Sequence, residues 1–224
     1  MTTAREVRDR IRSVKNIAQV TRALQAVSAS KVRKAMQAVT NTRPYATKAW
    51  QVLTHIAGQP GRESLHPLLT HHKQVNNVLV LLVTGDRGLA GAYTTNIVRF
   101  TLNKFGNYSV PVSYITVGRK GRDLMFRRGE KVIAEFSKLP PAPTFADVSA
   151  IGRMAVTEFL EEATDEVYLV YTDFVNMVTQ VPTVKKLLPL ELGEGTGRVQ
   201  DFARTDQAPS SYIYEPGQTD ILDE

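Results

Sequence analysis

The sequence contains no cysteine. Disulfides, zinc–thiolate sites and thiol switches are thereby excluded, which fits a reducing compartment. Helix breakers are missing from the start of the chain: the first proline is Pro44 and the first glycine is Gly58. No apolar run approaches the ~18 residues that a membrane-spanning helix needs. The N-terminus lacks the apolar stretch of a secretory signal. Acidic residues are scarce at one end only. Residues 1–56 hold 11 Lys/Arg against Glu6 and Asp9, a net of +9, whereas residues 57–224 hold 17 Lys/Arg against 20 acids, a net of −3. The basic character therefore belongs to the N-terminal stretch. Its partner should be an acidic protein surface, nucleic acid or a membrane surface.

What that stretch does have is helical periodicity. Advancing 100° per residue puts Val7, Ile11, Val14, Ile17, Ala18, Thr21, Leu24, Ser28, Val32, Ala35, Met36, Val39, Ala46, Trp50, Leu53 and Ala57 on one wide stripe. The opposite face carries Arg5, Arg8, Arg12, Lys15, Arg33, Lys34 and Lys48. Ala23, Ala26, Ser28, Ala29 and Ser30 are small enough for another helix to approach closely. The spacing is nearer 3.6 than a strict heptad and predicts an irregular coiled coil rather than a leucine zipper. Pro44 removes one backbone donor and is expected to bend the helix without ending it. A helix of about 55 residues is about 80 Å long. The remaining chain makes a body roughly 40 Å across. Length therefore predicts a protruding rod and opposes a helix lying along its own domain.

The body reads as alternating strands and helices. Gly58–Lys73 is expected to be a solvated linker. Val78–Val83 is an apolar run suited to a strand buried on both faces. A helix pattern covers Tyr93–Phe105, a strand Val110–Val117, a helix Arg119–Arg128, a short strand Val132–Phe136, a helix Phe145–Ala163 and a strand Glu166–Thr172. This order implies an α/β fold with a mainly parallel, doubly wound sheet. Val175–Leu192 reads as a pair of extended segments, Ser211–Glu215 as a last short strand, and Thr219–Glu224 as the start of a helix. The expected division is a rod over 1–57, a linker over 58–74, an α/β domain over 75–216 and a helix start over 217–224.

Candidate chemistry is sparse. Gly85-Asp86-Arg87-Gly88-Leu89-Ala90-Gly91 follows a strand and precedes a helix, where an α/β fold binds phosphate. Its glycines are spaced G-x-x-G-x-x-G, and no G-K-[ST] occurs, so there is no P-loop. A tight structural turn built on Gly85, Asp86, Arg87, Gly88 and Gly91 explains the same residues. His55, His66, His71 and His72 fall in a short span, but a metal needs three or four converging ligands. Solvated histidines are expected instead, and no metal. Glu161/Glu162 and Asp165/Glu166 lie where charge faces solvent. No base–nucleophile set is present.

Several segments together resemble the gamma subunit of F-type ATP synthase. They are Arg12-Ser-Val-Lys-Asn16, Val20-Thr-Arg-Ala-Leu24, Val27-Ser-Ala-Ser-Lys-Val-Arg-Lys34, Arg43-Pro-Tyr-Ala46 and Thr84-Gly-Asp-Arg-Gly-Leu-Ala-Gly91 with Asn96. Asn176–Thr183, Leu187-Leu-Pro-Leu190 and Tyr212-Ile-Tyr-Glu-Pro216 continue the match in order. Ala90 stands where the family has Cys, and Ala92-Tyr93 where it has Gly-Leu.

The resemblance implies a rotor in the central stalk. Its N-terminal helix would pair with a long C-terminal helix inside the ring of alpha and beta subunits. Its α/β domain would sit near the epsilon subunit and the c-ring, peripheral on the cytoplasmic face of the cell membrane. Rotation would couple proton or sodium flow to ATP synthesis, with no cofactor, no nucleic acid and no bond chemistry by this subunit. The residues it implies for partner contact are Arg8, Arg12, Lys15, Val20, Leu24, Val27, Lys31, Arg33 and Lys34. The sequence given ends at Glu224, before the family's C-terminal helix, so the rod is expected to fray, fold back, self-associate or bind inside another subunit ring. Two other readings remain open from the residues alone. One is a nucleic-acid or membrane-surface binder using the basic face, although that face lacks interleaved aromatics. The other is a nucleotide-using enzyme built on Gly85–Gly91.

Overall fold

The computed structural model describes residues 3–57 and 66–190. The strand expected at Ser211–Glu215 and the helix start at Thr219–Glu224 lie outside them. The chain divides into two units, Met1–Ala46 and Thr47–Glu224.

Helix α1 runs unbroken over Ala4–Ala57, continuing through Pro44. Its start is a capping box. The Thr3 backbone N–H donates to the Glu6 carboxylate at 2.9 Å, and the Glu6 N–H donates to the Thr3 hydroxyl at 3.4 Å. The T-x-x-E spacing was there to be read in the sequence. Thr21, Thr40 and Thr42 turn their hydroxyls back onto the carbonyls of Ile17, Met36 and Ala38, which keeps these polar side chains against the helix.

The second unit holds a five-stranded sheet. The strands are β1 (Val78–Val83), β2 (Val112–Val117), β3 (Lys131–Phe136), β4 (Glu166–Phe174) and β5 (Gln180–Leu188). Between them come α2 (Tyr93–Phe105), α3 (Arg119–Arg127) and α4 (Phe145–Leu160). The spatial order is β3-β2-β1-β4-β5. β1–β2, β2–β3 and β1–β4 pair parallel, and β4–β5 pair antiparallel. The mainly parallel α/β sheet expected from the strand–helix alternation is the one observed.

β1 is central, and its residues alternate between two cores. Val78, Val80 and Leu82 meet Ile97, Val98, Phe105, Tyr114 and Met125 on the side of α2 and α3. Leu79 and Leu81 meet Ile115, Ile151, Ala155 and Phe159 on the side of α4. A strand buried on both faces needs the continuous apolar run that VLVLLV supplies. Full burial of each such side chain contributes ~1.5–3 kcal/mol. The last turns of α1 join the second core: Ile56 is fully buried, with Trp50, Val52 and Leu53 around it.

Three expectations are corrected. The segment after Gly58 is not simply a solvated linker. Pro67–Leu69 forms a turn of 3-10 helix whose Leu68 and Leu69 are buried in the core. Of the region Val175–Leu192, the described part, which ends at Leu190, is not two extended segments. A turn at Val175–Thr179, held by the Asn176 side chain accepting from the Val178 and Thr179 N–H groups at 2.9 and 2.8 Å, joins β4 to the single strand β5. Asp165 is not solvated; only 8% of it is exposed. Its carboxylate accepts from the backbone N–H groups of Asn76 and Asn77 at 2.7 and 2.9 Å and contacts His72 Nδ1 at 2.6 Å. The His72 ring stacks on Phe159. Acids before a strand usually face water, but here the chain entering β1 offers two unpaired donors, and a carboxylate satisfies both.

Candidate functional site

Two features remain for function: the surface of α1 and the loop after β1. On α1, Arg8, Arg12, Lys15, Val20, Leu24, Val27, Lys31, Arg33 and Lys34 are all exposed. So are Val7, Ile11, Val14, Ile17, Val32 and Val39, with Val14 and Ile17 each 63% exposed. One helix face thus carries a continuous run of solvent-facing branched aliphatics with a cationic face beside it. Val20 and Lys31 border the stripe rather than centring on it, and Val27 lies beyond its edge, beside Lys34. The stripe has two fates along one helix. Before Ala46 it faces solvent. From Trp50 onward it enters the core with Leu53 and Ile56. An exposed apolar band of this extent is unusual in a soluble monomer and marks an interaction surface.

The loop after β1 is bound to its neighbours. The Thr84 hydroxyl lies 3.1 Å from the carbonyls of Val117 and Gly118 and accepts from the Gly121 N–H at 3.1 Å. The Asp86 carboxylate accepts the backbone N–H groups of Arg119 at 2.9 Å and Lys138 at 2.8 Å. The Lys120 N–H donates to the Gly85 carbonyl at 3.1 Å. These bonds tie the ends of β1, β2 and β3 together. Asp86 is thereby occupied by the protein's own backbone, and its charge suits the N-terminus of α3.

The loop's glycines differ in what they do. Gly91 has φ +57°, a conformation that side chains resist. Gly88 has only the Lys120 Cε within reach, at 3.9 Å. Arg87, Gly88 and Leu89 form the exposed tip. The glycines that permit close packing are two that sequence reasoning did not single out. A Cβ on Gly118 would stand 2.5 Å from the Thr84 carbonyl oxygen, and Gly118 has φ +106°. A Cβ on Gly121 would stand 2.4 Å from the Thr84 hydroxyl. The signal available was the pair of glycines in Val117-Gly-Arg-Lys-Gly121, immediately after a strand.

Burial acts on the charged groups of the second unit. It pushes the Asp165 carboxyl upward, but the Asn76 and Asn77 N–H groups and His72 outweigh it and hold the carboxyl below its usual value. The Lys185 ammonium lies over the Trp50 ring, 3.3 Å from its centre. Burial pushes this lysine down to about 8. Among the described residues, no group of three or more His, Asp or Glu side chains is placed to hold a metal ion. No described helix is long and apolar enough to cross a membrane.

Comparison with known proteins bears on both features. The family model described as ATP synthase matches residues 3–224. The ATP synthase gamma chain of Roseiflexus castenholzii is 39% identical over 227 residues, covering 99% of this chain and 74% of that protein. That of Desulfitobacterium hafniense is 39% identical over 223 residues, with 99% and 74% covered. The chain thus spans about three quarters of the length of these relatives. A chain in the central stalk/c-ring structure of the Tetrahymena thermophila mitochondrial ATP synthase superposes with a TM-score of 0.60 at 25% identity, covering 76% of this chain and 72% of that one. A chain of the Euglena gracilis mitochondrial ATP synthase rotor shares the fold, with a TM-score of 0.57 at 19% identity, covering 81% of this chain and 61% of that one.

Proposed function

This chain belongs to the ATP synthase gamma family, and from that premise we propose that it is a central-stalk rotor subunit that carries motion and makes or breaks no bonds itself. The observation that carries the reading is the exposed surface of α1, an apolar stripe flanked by cations on a helix far longer than packing on one domain requires. A shaft turning inside a ring needs this combination. Apolar contacts can slide past one another, and charges set register and association without fixing a single geometry.

In this reading Arg8, Arg12, Lys15, Lys31, Arg33 and Lys34 meet acidic surface on the alpha and beta subunits. Val20, Leu24 and Val27 lie against apolar side chains there or on a second helix. Residues 75–216 form the body that meets the epsilon subunit and the c-ring, with 58–74 as the connection from the rod at 1–57. The assembly then sits peripherally on the cytoplasmic face of the membrane. Gly85, Asp86, Arg87, Gly88 and Gly91 act as a structural loop: the Asp86 bonds to Arg119 and Lys138 support that role over phosphate binding.

The test is capture of the alpha–beta hexamer by the full chain across a salt series, beside ATP titration and turnover assays of the pure chain. Capture that weakens with salt, together with silent ATP assays, supports the reading. ATP turnover by the pure chain, or salt-sensitive DNA capture without hexamer capture, overturns it.

A further inference from the structure

We propose that the α2–α3 face of the sheet is a docking surface for a bilayer carrying anionic lipid headgroups, with Phe126 as its apolar anchor. From Arg87 to Arg122 the sequence has no Asp or Glu. Residues 87–131 hold nine Lys/Arg against Asp123 and Glu130, a net of +7. The helical layer on the other side of the sheet has the opposite sign. Residues 145–162, which are α4 and its end, hold Arg153 against four acids, a net of −3. The small net charge of residues 57–224 thus conceals two layers of opposite charge.

The fold gathers the cations onto one surface. α2 and α3 lie on the same side of the sheet, with Ile97, Val98, Phe105 and Met125 turned into the core. Arg99, Lys104, Arg119, Arg127 and Arg128 are exposed. Among the described residues none of these five enters an ion pair. Arg122 pairs with both Asp123 and Glu135, so those carboxylates do not offset the five. α3 returns from the end of β2 to the start of β3, which pair in parallel. Its last turn therefore sets Phe126, Arg127 and Arg128 at the edge where the parallel strands begin, opposite the Gly85–Gly91 loop. Phe126 is 57% exposed and shares a helix face with Arg119 and Arg122, seven and four residues earlier.

Unpaired cations around a protruding ring suit the boundary between headgroups and acyl chains. The guanidinium groups meet lipid phosphates while the ring enters the apolar layer. Nucleic acid would match the charge, but successive bases need a series of rings to stack on. On this face only Phe126 is an aromatic side chain more than half exposed. An acidic protein surface matches the charge as well. The bilayer is the better fit because the inference rests on the reading of a membrane-peripheral assembly, which puts the domain beside one.

The test places a reporter at the anchor of the full chain. Trp50→Phe removes the chain's single native indole, and Phe126→Trp supplies one on α3. Vesicles are made of phosphatidylcholine alone or with an equal part of phosphatidylglycerol, brominated in the acyl chains. On the mixed vesicles at low salt, emission from Phe126→Trp should shift to shorter wavelength and fall at least about threefold. On phosphatidylcholine alone it should not change. Adding Arg119→Glu, Arg127→Glu and Arg128→Glu should cut the quenching at least about fivefold, and added salt should reverse it. The basic helix α1 can also hold the chain on anionic vesicles, and the local quencher separates the two surfaces. Sedimentation with the vesicles while the introduced indole keeps its emission overturns the proposal. So does quenching that is equal on phosphatidylcholine alone or that survives the triple reversal. Tighter binding of a single-stranded oligonucleotide than of the mixed vesicles, read by the same emission, overturns it in favour of nucleic acid. Loss of hexamer capture in the triple variant overturns it in favour of an acidic protein surface. Hexamer capture by the unaltered chain tests the rotor reading separately.

Discussion

Gly121 donates its backbone N–H to the Thr84 hydroxyl at 3.1 Å, and a methyl group on Gly121 would stand 2.4 Å from that same oxygen. The start of α3 is therefore pressed onto the end of β1 with no room for a side chain. Gly121→Ala should destabilise the chain by about 1–3 kcal/mol, the usual cost of overpacking. Thr84→Ala should relieve part of that clash while losing its own hydrogen bonds. The double variant should then be more stable than the sum of the two single losses. Denaturant midpoints at constant m-value measure this. Additive losses would mean that the two residues do not share the strain.

Within the loop after β1 the glycines should separate by conformation rather than by position in the motif. Gly88→Ala meets only a flexible lysine end and should stay within about 0.5 kcal/mol of wild type. Gly91→Ala has open space but a φ of +57°, and should cost about 1 kcal/mol. Thermal melts of the two variants decide it. Equal effects would contradict the assignment.

Asp165 ties the entry of β1 to β4, and removing its carboxylate strands three donors. Asp165→Ala should cost about 1–3 kcal/mol. The pH dependence follows from direction. The folded carboxyl sits below its ordinary value, so the unfolded chain takes up the proton more readily. The stability Asp165 contributes is complete above the unfolded value near 4, and is lost as pH falls through the lower folded value. In Asp165→Asn that part of acid sensitivity should vanish, seen as a flatter dependence of melting temperature below pH 4.

Lys185 has the opposite linkage to an ion-paired lysine. Its folded value, about 8, lies below the unfolded 10.5. The unfolded chain therefore binds the proton more tightly, and wild-type stability gains from this group as pH rises from 8 to 10.5. The melting temperature of Lys185→Met minus that of wild type should fall over that interval and level off above it. A difference that is constant with pH would refute the burial of this charge.

On α1, Arg8→Glu with Arg33→Glu should weaken hexamer capture and flatten its response to salt. Both side chains are exposed. The melt of the chain alone should therefore move by no more than a few degrees. Undiminished capture would point to the apolar stripe as the whole of the contact.

The elements were legible where their pattern had one physical cause. VLVLLV suited a strand buried on both sides, and the helix of Tyr93–Phe105 was delimited by Ile97, Val98 and Phe105 recurring on one face. The length of α1 followed from the missing glycine and proline. Contacts between segments distant in sequence were not legible. Asp165 looked solvated because the donors that occupy it come from Asn76 and Asn77, far earlier in the chain. Gly121 looked ordinary because the residue it must clear is Thr84. The pairing of Trp50 with Lys185 depends on the foot of a helix meeting an edge strand, which no local pattern encodes. Of the candidate surface, the sequence indicated the stripe and the basic face, but not that the stripe passes from solvent into the core between Ala46 and Trp50.

That change of fate along a single helix sets how the helix comes to exist. Starting a helix in water is unfavourable, while lengthening one is nearly free at each step. In α1 the start can be made where Trp50, Leu53 and Ile56 are already gripped by the folded body. Winding then proceeds backward, toward Thr3, against the direction in which the chain is synthesised. The capping box at Thr3 and Glu6 closes the process rather than beginning it. A helix held by the folded body at one foot is expected to fray first at its exposed N-terminal turns.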